Sequence, residues 1–265
     1  MLYVYSEISY KLWRNERKTI LRTREGNNYQ NKKMRKSTIL SLSFFCFLFL
    51  SSSLLSSNSM DSTYSIISDK QEKGKFKPDE NNLMQKHAFF FDRNQDGSVH
   101  PWETYQGLRA LGAGVLLSTA CGIFINGAFS QLTRPGKFPS LLFPIELRNI
   151  VLAKIKSGTD TYDEKGRFIE EKFENIFRDY ARTHSDALTR SELSEMRRAH
   201  KKPKDYFGWI STWTQWSLTY HLFKDEHGLL KKDTLRGLYD GSTFEKREKE
   251  LKEKRNALAK KKASI

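Results

Sequence analysis

The twelve residues Asp92-Arg93-Asn94-Gln95-Asp96-Gly97-Ser98-Val99-His100-Pro101-Trp102-Glu103 decide the fold. Side-chain oxygens stand at positions one (Asp92), three (Asn94) and five (Asp96), and a carboxylate closes the stretch at position twelve (Glu103). Gly97 takes position six, where the chain turns too sharply for a β-carbon, and Ser98 offers its backbone carbonyl at position seven. Ca²⁺ is a hard cation that takes six to eight oxygens at about 2.3–2.6 Å, and this spacing wraps such a set around one point. The stretch therefore reads as an EF-hand loop, with Asp92, Asn94, Asp96, Ser98 and Glu103 as calcium ligands. Val99 at position eight is apolar, as pairing with a neighbouring loop through a short strand requires. His100 at position nine suits a hard cation poorly and is better placed to admit water.

Upstream, Asn81 and Asn82 can cap a helix on which Leu83, His87 and Phe91 share one face. A histidine on such a face is either a satisfied core residue or a ligand. Downstream, a paired loop is expected, and three stretches resemble one. ARTHSDALTRSE from Ala181 puts Leu188 at position eight and Glu192 at position twelve, but Ala181, Thr183 and Ser185 replace the acids. FKDEHGLLKKDT puts Gly228 at position six and Leu230 at position eight, while TYDEKGRFIEEK turns at Gly166 with no acid at position twelve. These read as degenerate EF-like turns or as ordinary helix–turn–helix junctions.

The exit helix, PWETYQGLRALG, is expected to continue into AGVLLSTACGIFINGAFSQLT, with no charge between Arg109 and Arg134. A bilayer core of about 30 Å needs roughly 20 apolar helical residues. The glycines, Ser118 and Asn126 make this a mediocre span, so it reads as a segment that dips into a membrane or as a buried helix. RPGKFPSLLFPIEL follows, with Pro135, Pro139 and Pro144 each removing an amide donor and blocking a helix. Helix, proline-broken turn and LLFPIELRNIVLA together suggest a membrane-dipping hairpin. Beyond it, FIEEKFENIFRDYA predicts an amphipathic helix. Trp209, Trp213, Trp216, Tyr220 and Phe223 form one helical stripe, either core or membrane interface.

The 265 residues carry 46 Lys/Arg against 31 Asp/Glu, a formal net charge of +15 that lies mostly in the ends. Residues 1–38 hold ten basic against three acidic residues, and 245–265 nine against four, leaving +3 for everything between. The C-terminal run interleaves no aromatics with its lysines and reads as a solvated charged helix, so nucleic acid is not an expected partner. Lys32-Lys33-Met34-Arg35-Lys36 precedes the apolar Ile39–Leu55 and a Ser-rich exit, the pattern of a secretory signal or signal anchor, with a buried core segment as the alternative. That pattern fits best if translation starts at Met34. Two cysteines exclude a disulfide framework and a four-thiolate zinc site, and 18 Phe with 11 Tyr exclude a disordered chain.

The single strong EF-hand loop, the apolar segment, the three prolines and GWISTWTQWSLTYHLFKDEHGLLKKDTLRGLYDGSTFE, in that order, resemble the plant caleosins, or peroxygenases. The resemblance implies a mainly α protein: an EF-hand helix–loop–helix with degenerate EF-like partner turns, an apolar helix and a proline-knot hairpin. It divides the chain into a basic and signal-like 1–60, a linker 61–81, a caleosin-like domain 82–244 and a charged tail 245–265. Within the domain, the EF-hand takes 83–111, the apolar helix and proline knot 110–155, and the C-terminal helices 156–244. It also implies Ca²⁺ and haem as cofactors and a place at the endoplasmic reticulum membrane or lipid droplet, against a phospholipid monolayer or bilayer. The implied chemistry is oxygen transfer from fatty-acid hydroperoxides to unsaturated fatty acids. His87 matches the family's haem-directed histidine. After FPI the family shows further histidines, whereas Val151 and Ile155 stand at the matching positions here. A non-catalytic calcium-responsive tethering protein of the same membranes is the second expectation.

Overall fold

The computed structural model describes residues 75–263, so the expected N-terminal basic tail, the signal-like segment and the first part of the linker lie outside the described residues. Helix dominates the remainder, as expected. Helix α1 (Leu83–Phe89) enters the candidate calcium loop with Asn82 as its cap, the Asn82 side chain accepting from Gln85 N at 2.9 Å. Strand β1 (Ser98–Val99) closes the loop, and α2 (Pro101–Ala110) leaves it. Helix α3 (Val115–Phe129) follows, then a proline-containing loop, strand β2 (Ile145–Glu146) and a 3₁₀ helix (Leu147–Ala153).

Strand β1 pairs antiparallel with β2, Val99 facing Ile145 and Ser98 facing Glu146. None of the three expected loops partners the calcium loop; the apolar segment with its proline loop does. The expected hairpin is corrected in two respects. First, α2 does not run on into α3, because the chain turns at Leu111–Gly114, where Gly112 adopts φ +95°, a left-handed conformation that costs glycine no β-carbon clash. Second, the arm after the prolines is a strand and a 3₁₀ turn. At 15 residues α3 extends about 22 Å, and among the described residues no helix is long and apolar enough to cross a membrane.

Asn126, one of the polar residues that make the segment a poor span, fastens it. Asn126 is wholly buried. It donates through Nδ2 to Val99 O at 2.7 Å and Phe143 O at 3.0 Å, and accepts from Thr104 Oγ1 at 2.7 Å. One amide thus joins the calcium-loop strand, its exit helix and the proline loop. Ser130 donates to Pro144 O at 2.8 Å, and Thr133 Oγ1 accepts from Glu146 N at 3.0 Å. Val99, Ile145, Leu147, Ile150 and Ala153 form the core of this pair, with Met84, Phe89 and Phe91 against it.

A second pair follows. Helices α4 (Glu170–Tyr180) and α5 (Arg190–Ala199) flank the loop from Ala181, and α6 (Tyr206–Phe223) and α7 (Lys232–Asp240) flank the loop from Phe223. Strand β3 (Ala187–Leu188) pairs antiparallel with β4 (Leu230–Lys231), bringing Leu188 opposite Leu230. Two of the degenerate loops therefore pair with each other through their position-eight leucines. On α6 the buried residues are not the aromatic stripe as a whole but Gly208, Ser211, Thr212, Thr214, Trp216 and Leu222.

The last helix, α8 (Ser242–Ala263), runs across the expected boundary at 244/245. Its first turns are not freely solvated. Phe244 is buried among His87, Phe90, Phe91 and Phe223, with ring centroids 5.0–5.8 Å away. Glu248 receives both arms of the Arg93 guanidinium at 2.9 and 3.1 Å, and Lys252 at 2.8 Å. Since Arg93 is position two of the calcium loop, α8 is tied to that loop.

Asn126→Leu strips partners from two carbonyls and one hydroxyl, and each buried group so stranded costs about 1–3 kcal/mol. Chemical denaturation is expected to show a loss of about 3 kcal/mol or more with unchanged helical content. The second expectation concerns pH. Arg93 first, and Lys252 after it, hold the Glu248 carboxyl down at about 2 against an ordinary 4.5, although burial opposes them. A depressed carboxylate contributes its full stabilisation above its ordinary value and loses it as pH falls through the folded one. Wild type should therefore melt above Glu248→Gln at neutral pH, with the gap closing between pH 4.5 and about 2.

Candidate functional site

The loop from Asp92 to Glu103 folds around its own oxygens. Asp92 Oδ2 accepts from Gly97 N at 2.8 Å, a bond that fixes position six under position one and is possible because Gly97 sits at φ +87°. Asp92 Oδ1 and Asn94 Oδ1 both accept from Asp96 N, and Asp96 Oδ1 accepts from Ser98 N at 2.8 Å. Glu103 Oε1 accepts from Arg93 N and Asn94 N, and Oε2 from His100 N at 3.0 Å. His100 lies flat on Trp102, ring centroids 4.3 Å apart, with Nδ1 3.2 Å from Glu103 Oε2. Phe76, at the end of the expected linker, donates its N–H to Gln95 O at 2.8 Å and covers Gly97.

Asp92 and Glu103 are 3 % and 2 % exposed, and neither forms an ion pair with Lys or Arg among the described residues. Burial, and after it the charges of Asp96 and Glu103, push the Asp92 carboxyl up despite the amides of Gly97 and Asp96. Buried acids without a counter-charge beside an all-oxygen donor set are the chemistry that a hard dication satisfies. Among the described residues no group of three or more His, Cys, Asp or Glu side chains is arranged to hold a metal ion, the Glu103 oxygens being taken by loop amides.

The Ala181 loop repeats this architecture with the acids removed. Glu192 Oε1 accepts from Arg182 N and Thr183 N, and Oε2 from Thr189 N, the same positions two, three and nine that Glu103 binds. Burial alone would raise its carboxyl, but the Thr189 and Thr183 bonds win and hold it at about 2. The loop keeps the EF-hand shape while Ala181, Thr183 and Ser185 leave no acid to hold a cation. In the Phe223 and Thr161 loops, the position-three aspartates, Asp225 and Asp163, bind amides two and four residues on.

Helix α1 joins the calcium loop to a cavity of about 310 Å³, lined largely by apolar residues from both EF-like pairs. Met84, His87, Ala88 and Phe91 come from α1 and its end, Phe124 and Phe129 from α3, and Leu218 and Leu222 from α6. His87 Nδ1 lies 2.6 Å from Leu238 O, so it donates there and Nε2 keeps the lone pair. Burial lowers the His87 pKa, partly offset by the Leu238 bond and Asp240, and the ring is neutral at physiological pH. A neutral imidazole whose second nitrogen is fixed by a carbonyl is the usual state of a metal-ligating histidine. Among the described residues His87 is the only histidine lining the cavity; of the two residues at the family's histidine positions, Ile155 lines it too. His200 instead bonds Met196 O at 2.8 Å. The sequence gives no sign of Leu238 O, because a backbone partner has no residue-type signature.

The sequence is similar to those of known proteins. The family described as caleosin related protein matches residues 79–248. Probable peroxygenase 4 of Arabidopsis thaliana is 52% identical over 180 residues, 68% of this chain and 92% of its own. Peroxygenase of Lilium longiflorum is 47% identical over 168 residues, covering 63% and 70%. A probable inactive peroxygenase-like protein of Arabidopsis thaliana is 42% identical over 144 residues, covering 54% and 69%. No solved structure matches the chain. A family match over most of the described residues and the order of EF-hand, apolar segment and proline loop lead to one conclusion: the chain belongs to the caleosin family.

Proposed function

We propose that the chain is a calcium-binding, lipid-associated haem peroxygenase that transfers oxygen from fatty-acid hydroperoxides to unsaturated fatty acids. The carrying observation is His87, its Nδ1 fixed on Leu238 O, in the wall of an apolar cavity and five residues before the first calcium ligand. Haem bound through His87 would supply the oxygen-transfer chemistry. The protein's own part is to present one neutral imidazole against Phe244, in a wall that also holds Phe91 and Phe124, and to exclude water from an acyl chain. Among the described residues His87 is the one imidazole in the cavity wall, and it is the residue that would hold the haem. Calcium is assigned to Asp92, Asn94, Asp96, the Ser98 carbonyl and Glu103.

The lipid assignment draws on the loop between α3 and β2. Phe138 and Leu141 are each 92% exposed there, and Leu132, Leu142, Val115, Leu116 and Ile123 add exposed apolar surface on the loop and α3. Such a surface suits shallow insertion into a phospholipid monolayer or bilayer face, as at a lipid droplet or the endoplasmic reticulum. A non-catalytic tethering role is the second reading; Val151 and Ile155 in place of histidines favour it, as does the relative described as inactive.

One flotation experiment separates these roles. Full-length protein expressed with ample haem is floated with phosphatidylcholine vesicles and scanned for a Soret band. Wild type is expected to float with the band, His87→Ala to float without it, and Phe138→Ser/Leu141→Ser to keep the band and sediment. Wild type that floats without haem establishes the tethering reading instead, and a haem band unchanged in His87→Ala removes His87 from the site.

A further inference from the structure

Helix α6 lies along the cavity with a graded face. Ser211, Thr214, Gln215, Leu218, Thr219 and Leu222 recur at helical spacing and all line it. Oxygen and nitrogen side chains gather toward the N-terminal half of that face, with Leu218, Leu222 and Phe223 toward the other. Phe223 packs on Phe244 with centroids 5.8 Å apart, and Phe244 meets His87 at 5.0 Å, so His87 belongs to the apolar end. Ser211 and Phe223 are twelve residues apart, about 18 Å along the helix axis.

Ser211 is 3% exposed, and its Oγ is buried with no hydrogen-bond partner among the described residues. Serine within a helix ordinarily returns its hydroxyl to the carbonyl four residues back; this one does not. Among the other hydroxyls lining the cavity, Thr104 bonds Asn126, Thr161 bonds Thr159 and Tyr239, and Tyr162 bonds Tyr239 O. A stranded hydroxyl in an apolar wall is costly in the empty protein and becomes useful when a ligand oxygen reaches it.

We propose that Ser211 anchors the carboxyl end of a long-chain fatty acid, whose hydrocarbon chain lies along Leu218 and Leu222 toward His87. The inference rests on the reading of the cavity as a lipid-oxidising site and adds to it an orientation: the head group is held at one end and the hydrocarbon chain runs toward the other. Selection then favours long chains with an oxygen-bearing terminus over equally long hydrocarbons, and Ser211 is the residue that makes this distinction.

The test is displacement of the fluorescent fatty acid cis-parinaric acid from the full-length chain by oleate or by 1-octadecene, with far-ultraviolet circular dichroism confirming the fold of each variant. Oleate is expected to bind wild type more tightly than 1-octadecene. Ser211→Ala should weaken oleate about five- to tenfold, the worth of one hydrogen bond, and leave 1-octadecene unchanged, while Ser211→Thr should retain most of the oleate affinity. Oleate affinity unchanged in Ser211→Ala overturns the anchor while leaving the lipid cavity standing. Equal weakening of both probes shows packing alone and also overturns it. If neither probe displaces cis-parinaric acid from wild type, the cavity is not a lipid site and the two readings fall together.

Discussion

The pairing of Val99 with Ile145 is the constraint on which the first half of the fold depends. An EF-hand loop ends in a two-residue strand whose amides and carbonyls need an external partner. This chain supplies it from the segment after Pro144, and that requirement accounts for the apolar run. Helix α3 must pack closely on α2 to return the chain, which Gly122 permits by bringing its backbone within 2.9 Å of Pro101 O, measured from where a β-carbon would stand. Asn126 then bonds the strand, the exit helix and the proline loop at once. Once β2 is in register, the loop before it is held at both ends, and its apolar side chains, led by Phe138 and Leu141, remain outside.

The same architecture links the residues of the two proposed cofactor sites. Helix α1 carries His87 and delivers Asp92, about 7.5 Å further along if the helical rise continued. Arg93 reaches α8 through Glu248, and Phe244 of α8 lies against His87. A change in the loop therefore has two short routes to the imidazole, one through α1 and one through α8. In the proposed function calcium is a setting for the cavity, acting through the helix that the two sites share.

Much of this was legible in the sequence, and the exceptions have physical causes. The helix–loop–helix around Asp92–Glu103 follows from its residue spacing, and Leu188 and Leu230 at position eight of their loops lie opposite each other. The partner of the calcium loop was not legible, because Phe143-Pro144-Ile145 has no ligand pattern and its role is set by register alone. Asn126, Ser118 and the glycines weakened the membrane-span reading, and the first of these turned out to be a buried three-way fastening. On α6 the tryptophans dominate the sequence, whereas the chemistry of its cavity-lining face is carried by the small polar residues between them. Ser211 is invisible to spacing rules; only burial without a partner distinguishes it. The basic C-terminal run was read from its charge, which describes its far end, while Phe244 and Glu248 anchor its beginning.

The claim that the calcium loop and the His87 cavity form one unit is tested most directly by titrating calcium into haem-loaded full-length protein while following the Soret band. The account predicts a saturable change in the band whose midpoint equals that of calcium binding by calorimetry, lost together with the calorimetric signal in Glu103→Gln. Calcium binding with normal heat and no response of the Soret band would contradict it.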